Sequence, residues 1–388
     1  MAHKRIYMDW NATAPLMDAV REAMIDAFAM PGNPSSVHGE GRAARALVEK
    51  ARRQVAALVG ANPQSVVLTS SATEAANLVL TPHWRMGRSP LSLGRLYVSA
   101  IEHPAVRLGG RFAPDRITEI PVTPRGVTDL ARLETLLAEH PVEAGLPLVA
   151  VMLANNETGV VQPVAEAARL VHAKGGLIVV DAVQAVGRMA VEMDALDADF
   201  LLISAHKLGG PKGAGALIAR GETLMPEPLI RGGGQEKGHR GGTENLAAIA
   251  GFGVAAELAQ KDLINRNLHV TSLRDRLEAG MRAAAPDLII HGHDVARIGN
   301  TCFFTLPGMK AETGQIAFDL EGLALSAGAA CSSGKVGQSH VLTAMGQDAQ
   351  MGGLRLSLGP ATTQEDIDAA IAIFARIAAR RRPAGQAA

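Results

Sequence analysis

Cysteine is nearly absent from this chain, with 2 in 388 residues. The two stand in unlike contexts, Cys302 inside the apolar run Thr301-Cys-Phe-Phe-Thr305 and Cys331 among alanines, serines and glycines. That excludes a disulfide framework and points to a reducing compartment. Charge of one sign is missing as well, because 38 Lys and Arg balance 38 Asp and Glu. No overall field therefore draws nucleic acid or an anionic membrane. No apolar run approaches the ~18 residues of a membrane span. The amino end, Met1-Ala-His-Lys-Arg-Ile-Tyr-Met-Asp9, lacks the apolar centre of a signal peptide. The expectation is a soluble, cytoplasmic protein with neither nucleic acid nor membrane as partner. Internal repeats are absent too.

What is present is enough apolar material for a large core: 47% of the residues are hydrophobic, and a chain of this length divides into about two domains. Short apolar runs at 65–69, 95–99, 146–153, 176–180, 200–204 and 215–219 alternate with helical patterns. That alternation is the mark of an α/β fold with a mostly parallel sheet covered by helices. One such helix spans 42–59, with Ala44, Leu47, Val48, Ala51, Val55 and Leu58 on one face and Gly60 as its stop. After about residue 262 the composition changes. A long helix, the run 300–306, the Cys331 segment and a last helix opened by Thr363-Gln-Glu-Asp366 predict a smaller α+β domain. The tail Arg380-Arg-Arg-Pro-Ala-Gly reads as a frayed end.

Polar residues gather where the apolar runs stop, and in an open parallel sheet ligands bind at the carboxyl ends of the strands. Thr69-Ser-Ser-Ala-Thr-Glu74, Glu102-His103, Asn155-Asn156, Asp181 and Ser204-Ala-His-Lys207 each follow such a run. A lysine directly after a buried strand is costly to desolvate, yet desolvation leaves a neutral amine able to attack an aldehyde. Lys207 thus reads as a Schiff-base lysine or as half of a structural ion pair. Asp181, ending an apolar strand, wants a cation or hydrogen-bond donors; alone it reads equally as a helix cap. Ser70, Ser71 and Thr73 open a helical stretch, either as caps or as an anion site. Cys331 has no apolar periodicity around it, which suits chemistry better than packing, whereas Cys302 reads as core.

These residues, together with Tyr7-Met-Asp-Trp-Asn-Ala-Thr13, Gly32-Asn-Pro-Ser-Ser-Val-His38, Asn155-Asn-Glu-Thr-Gly159, Val180-Asp-Ala-Val-Gln184, the segment 231–245, Ala330-Cys-Ser-Ser-Gly334 and Arg355-Leu-Ser-Leu-Gly359, run in order along nearly the whole chain. The set resembles the class V aminotransferase family of pyridoxal-phosphate enzymes, and within it the cysteine desulfurases of the NifS/IscS-like group. The resemblance implies an aspartate aminotransferase-like fold, with a large cofactor-binding domain at 15–262. Residues 1–14 and 263–388 would form the small domain, carrying a catalytic loop at about 326–339. It also implies conversion of L-cysteine to L-alanine with a persulfide left on Cys331, for iron–sulfur cluster assembly or a related pathway.

Roles follow by position in the motifs. Lys207 would hold pyridoxal 5'-phosphate as a Schiff base, Asp181 would pair with the ring nitrogen, and Gln184 and Asn156 would bond the ring's oxygen substituents. His103 would stack on the ring and shuttle protons. Ala72, Thr73, Ser204 and His206 would hold the phosphate, and Thr243 would reach the phosphate of the other subunit, which implies a homodimer. Arg355 would grip the substrate carboxylate in a two-pronged pair, with Asn156 beside it, and a scaffold protein would accept the sulfur. Departures from the family pattern are Ser71, Ala76, Trp10, Ala14 and Gln338.

Rival readings are a selenocysteine lyase or another class V enzyme and, from a different class, a non-catalytic sulfur-trafficking protein. His291-Gly-His293-Asp294 lacks further ligands for a metal, and Gly232-Gly-Gly234 is not followed by the Gly-Lys-Ser/Thr of a phosphate loop. His38 reads as a structural or entrance residue.

Overall fold

Unbroken aliphatic runs mark the centre of the molecule, for which a computed structural model describes residues 5–328 and 338–381. The strands Ser89–Ser99, Leu146–Met152, Leu177–Asp181 and Phe200–Ser204 lie side by side and parallel. The last three are almost wholly buried, as a sheet covered on both faces requires. Ile117–Ile120 joins in parallel, while strands that each pair antiparallel with their neighbour complete a nine-stranded sheet: Gly215–Ala219 and then Val66–Thr69 on one side, His83–Met86 and then Leu224–Pro226 on the other.

Where bounds differ from the sequence pattern, local chemistry explains it. Ser65 leaves the predicted run 65–69 for a tight turn in which the Asn62 side chain accepts from the Gln64 N–H at 2.9 Å. The run predicted at 95–99 begins earlier, at Ser89, because its polar first half pairs with His83–Met86 in a hairpin. The helix predicted at 42–59 spans Gly39–Ala57, and His38 caps it, Nδ1 accepting from the Gly41 N–H at 3.3 Å. Two glycines in that first turn concealed the start.

A second core forms around a four-stranded antiparallel sheet of Ile289–Ile290, Thr301–Thr305, Leu354–Ser357 and Ser326–Ala327. Phe304, Phe318 and Phe374 pack ring against ring beneath it. The helix Gln364–Arg380 starts at a capping box in which the Thr363 and Asp366 side chains bond each other's backbone N–H. The chain's beginning belongs to this core: Ile6–Tyr7 pairs in parallel with Leu323–Ala324, and Asp9 bridges to Ser357.

The glycine-rich segment at 231–245 is pinned to the edge strand Val66–Thr69 by a buried ion pair. Arg52 donates to both Glu236 oxygens, at 2.6 and 2.9 Å, and Glu236 also accepts from the Leu68 N–H at 2.8 Å. Removing one partner of such a pair strands a buried charge. Glu236→Ala should cost ~3–5 kcal/mol in urea unfolding, whereas the double replacement Arg52→Met, Glu236→Leu should cost clearly less; equal costs would contradict the pairing.

Candidate functional site

The central parallel strands deliver polar groups to the same place. Leu177–Asp181 ends in Asp181, whose carboxylate accepts from the Val183 N–H at 2.9 Å. Burial raises its pKa to about 6, against the lowering effects of that hydrogen bond and of the Lys207 charge. Phe200–Ser204 leads into a single turn, Ala205–Lys207, that carries His206 and Lys207. The Lys207 ammonium donates to the backbone carbonyls of Asn11 at 2.5 Å and Ala12 at 2.8 Å. His206 faces Thr13, Nδ1 to Oγ1, at 3.2 Å, and burial followed by nearby cations pushes its pKa down to about 4.

After Leu146–Met152, Asn155 builds a turn: its Oδ1 accepts from the N–H groups of Glu157 and Thr158, both at 2.9 Å, and its Nδ2 donates to the Ile101 carbonyl at 3.0 Å. The turn aims Asn156 inward, and its Oδ1 is buried without a hydrogen-bond partner. After Ser89–Ser99, His103 caps the short helix Pro104–Arg107, its Nδ1 accepting from the Ala105 N–H at 3.2 Å. An acceptor at Nδ1 places the proton of the neutral ring on Nε2. Burial, then the charges of Lys207 and His340, push the His103 pKa down to about 4. Beyond Val66–Thr69, Ser71 caps the helix Ala72–Val79, its Oγ accepting from the Glu74 N–H at 3.1 Å. Ser71 therefore serves as a helix cap here. The first turn of that helix sits hard against Gly215, where a Cβ would lie 2.5 Å from the Ser71 carbonyl carbon.

Ala72, Thr73, His103, Asn156, Asp181, Gln184, Ser204, His206 and Lys207 all line one cavity of about 170 Å³. A larger cavity of about 340 Å³ touches Lys207 from its other side, walled by Trp10, Leu16, Arg188 and Val270; it holds neither Asp181 nor His103. Gln184 already donates to the Asn11 carbonyl at 3.0 Å and accepts from Arg188. Arg355 stands one residue away from the cavity, donating to the Asn156 carbonyl at 2.8 Å and to Asp9 at 2.7 Å, with Nε buried and unpartnered. Thr243 is exposed and does not line the cavity of its own chain. Cys331 lies outside the described residues, as does most of the expected loop at 326–339.

Three groups that carry the site were not singled out by role in the sequence. Asn11 is buried and bonds Asn156, Asn300, Thr301 and Ser357 in addition to Lys207 and Gln184; its motif was visible, its hub position was not. Glu102 is fully buried, accepts from the Met152 N–H at 2.5 Å through Oε1, and leaves Oε2 unpartnered. Burial and the Asp181 charge push its pKa well above the usual carboxylate range. Glu157 is buried with a pKa raised to about 7 by desolvation, which outweighs a bond from Ser339 and the Arg355 charge.

Elsewhere the chemistry is inert. Cys302 is fully buried, and burial pushes its thiol pKa well up. His291 and His293 turn to the Thr305 hydroxyl and the Ile290 carbonyl, both at 2.8 Å. Among the described residues no group of three or more His, Cys, Asp or Glu is arranged to hold a metal, and no helix is long and apolar enough to cross a membrane.

The low His103 pKa has a definite pH signature. Between an unfolded value near ~6.5 and a folded value of about 4, the unfolded chain binds a proton that the folded chain does not. The stability tied to this ring is therefore complete above that window and is lost as pH falls through it. An NMR titration of the His103 ring should give a midpoint near 4; a midpoint at 6.5 or above would contradict the buried, cation-facing environment.

The chain matches the aminotransferase class-V family over residues 6–370. It is 38% identical to a cysteine desulfurase of Enterobacter agglomerans, over 98% of this chain and 94% of that protein. Its fold superposes on a NifS-like protein from Rickettsia africae with a TM-score of 0.85 at 35% identity, covering 96% of this chain and 99% of the other. A solved complex of SspA with cysteine gives 0.73 at 27% identity, over 92% and 100%. The architecture is accordingly the aspartate aminotransferase-like fold of pyridoxal-phosphate-dependent transferases, and the chain belongs to the class-V aminotransferase family, within its cysteine desulfurase group.

Proposed function

We propose that the chain is a pyridoxal-phosphate-dependent cysteine desulfurase that converts L-cysteine to L-alanine and leaves the substrate's sulfur on Cys331 as a persulfide. The observation that carries this reading is the meeting of Lys207, Asp181, Asn156 and His103 on one cavity. The residues present fit the cofactor. Asn156 Oδ1 is buried and unpartnered, the Asp181 carboxylate is desolvated and gains from a cation, and the helix Ala72–Val79 opens its first turn on the cavity.

Pyridoxal phosphate, when bound, supplies a conjugated ring that accepts the electron pair released at the substrate's α-carbon. Lys207 would hold it covalently through Nζ, and Asp181 would keep its ring nitrogen protonated. Asn156 and Gln184 would bond its ring oxygen, and Ala72, Thr73, Ser204 and His206 its phosphate. Thr243 would serve the neighbouring subunit's phosphate in a homodimer. Arg355, steadied by Asp9 and the Asn156 carbonyl, keeps a free Nε–H for the substrate carboxylate.

His103 Nδ1 is held by the Ala105 N–H, which leaves Nε2 as the ring atom that would exchange a proton with the reacting centre. The Cys331 thiolate attacks the sulfur of cysteine. A sulfur–sulfur bond forms, the carbon–sulfur bond breaks, its electron pair stays on carbon, and that carbon takes a proton to become the methyl group of alanine. In this reading residues 15–262 carry the cofactor, and residues 1–14 with 263–388 bring Arg355 and Cys331 to it. The protein would work in the cytoplasm, and an iron–sulfur scaffold or another sulfur acceptor would collect the persulfide.

Cysteine-dependent alanine release should vanish in Cys331→Ala while the cofactor's visible absorbance persists, and Lys207→Ala should lose both. Mass spectrometry after mixing with L-cysteine should find the extra sulfur on Cys331. Extra sulfur on Cys302, or none, would overturn the assignment, and unchanged alanine release in Cys331→Ala would favour a lyase that does not use the thiol.

A further inference from the structure

Glu157 is a buried carboxyl group to which the reaction above gives no task. Its Oε2 accepts a 2.6 Å hydrogen bond from the Ser339 hydroxyl, and a Cβ on Gly328 would lie 2.6 Å from the same oxygen. Gly328 and Ser339 flank residues 329–337, within which Cys331 falls.

The two flanks are moored to different cores. On the leading side, Ser326 pairs in register with Arg355, and the Gly328 N–H donates to the Gly353 carbonyl at 2.8 Å; both belong to the four-stranded sheet. On the trailing side, Ser339 caps the short helix His340–Ala344 through the Leu342 N–H at 3.1 Å. His340 Nε2 meets the Glu102 carbonyl at 2.9 Å, and Val341 and Met345 pack on Met152 of the nine-stranded sheet and on Ile101 in the turn after Ser89–Ser99. Glu157 stands between the moorings, one residue after Asn156 of the cavity and within the field of Arg355.

We infer that Glu157 is a positioning residue for the Cys331 thiol: its carboxyl group bonds Ser339 on the trailing flank of the cysteine-bearing segment and lies against Gly328 on the leading one, so that both flanks meet at one carboxyl group next to Asn156 of the cavity. The inference rests on the reading of Cys331 as the sulfur acceptor. A nucleophile whose supports shift by about 1 Å loses on the order of 10²-fold in rate without losing substrate binding. The carboxyl's work is to accept from Ser339, and an amide of the same shape can do that.

The test uses the cofactor-loaded enzyme, with L-cysteine binding followed by the change in cofactor absorbance and sulfur transfer followed by the rate at which the Cys331 persulfide accumulates in a single turnover. Glu157→Ala should bind cysteine as the unaltered enzyme does and transfer sulfur ~10- to 100-fold more slowly, while Glu157→Gln should stay within about threefold of the unaltered rate. Should Glu157→Ala not fold, Ser339→Ala removes the other half of the bond and should show the same split. Transfer at the unaltered rate in the folded Ala variants overturns the inference, as does a Gln variant as slow as Glu157→Ala. Unaltered enzyme that accumulates no sulfur on Cys331 would instead overturn the desulfurase reading itself.

Discussion

An aspartate at the end of an apolar parallel strand must find positive charge or stay protonated, and that constraint organises the whole site. Asp181 cannot recover its lost hydration from the Val183 N–H alone, so burial lifts its pKa to about 6. Glu102, bonded to the backbone of Met152, the residue in register with Asp181, is driven toward its neutral form by its own burial and then by the Asp181 charge. Burial, and after it the Lys207 charge, depresses His103 and His206, and the same charge lowers Asp181. The result is an acid, a charged lysine and neutral imidazoles around one small cavity.

The second organising element is the chain's own beginning. Residues 9–13 run between the two cores, and nearly every polar group there is spent on the site: Asp9 on Arg355, Asn11 on Lys207, Gln184 and Asn156, Thr13 on His206. Asn11 also bonds Asn300 and Thr301 of the smaller core. The bonds that join the two cores here are therefore also bonds of Lys207 and of Arg355. The site is built at a joint, which suits a reaction in which the sulfur must first be seized and then carried away.

Much of this was legible in the sequence. Phe200–Ser204 and Gly215–Ala219 have the predicted bounds because both are short, apolar through their middle and punctuated by polar or glycine residues. The capping box at Thr363 and the groups at the ends of the parallel strands were visible for similar reasons, since each combines a local pattern with a chemical demand. Asn11, Glu102 and Glu157 stayed silent about their roles. Their partners lie far off in the chain, as Ser339 does from Glu157, and a buried carboxyl looks on paper like any surface acid. The start of Gly39–Ala57 was hidden because glycine in a first helical turn reads as a break, whereas close packing of Gly41 on Ser36 requires it.

The account stands on Lys207 as the amine that holds an aldehyde cofactor opposite Asp181. The most direct measurement is borohydride reduction of the pyridoxal-phosphate-loaded protein followed by peptide mapping. The account predicts one reduced, cofactor-bearing lysine, at Lys207; a mark on Lys212 or another lysine, or no covalent mark at all, would contradict it.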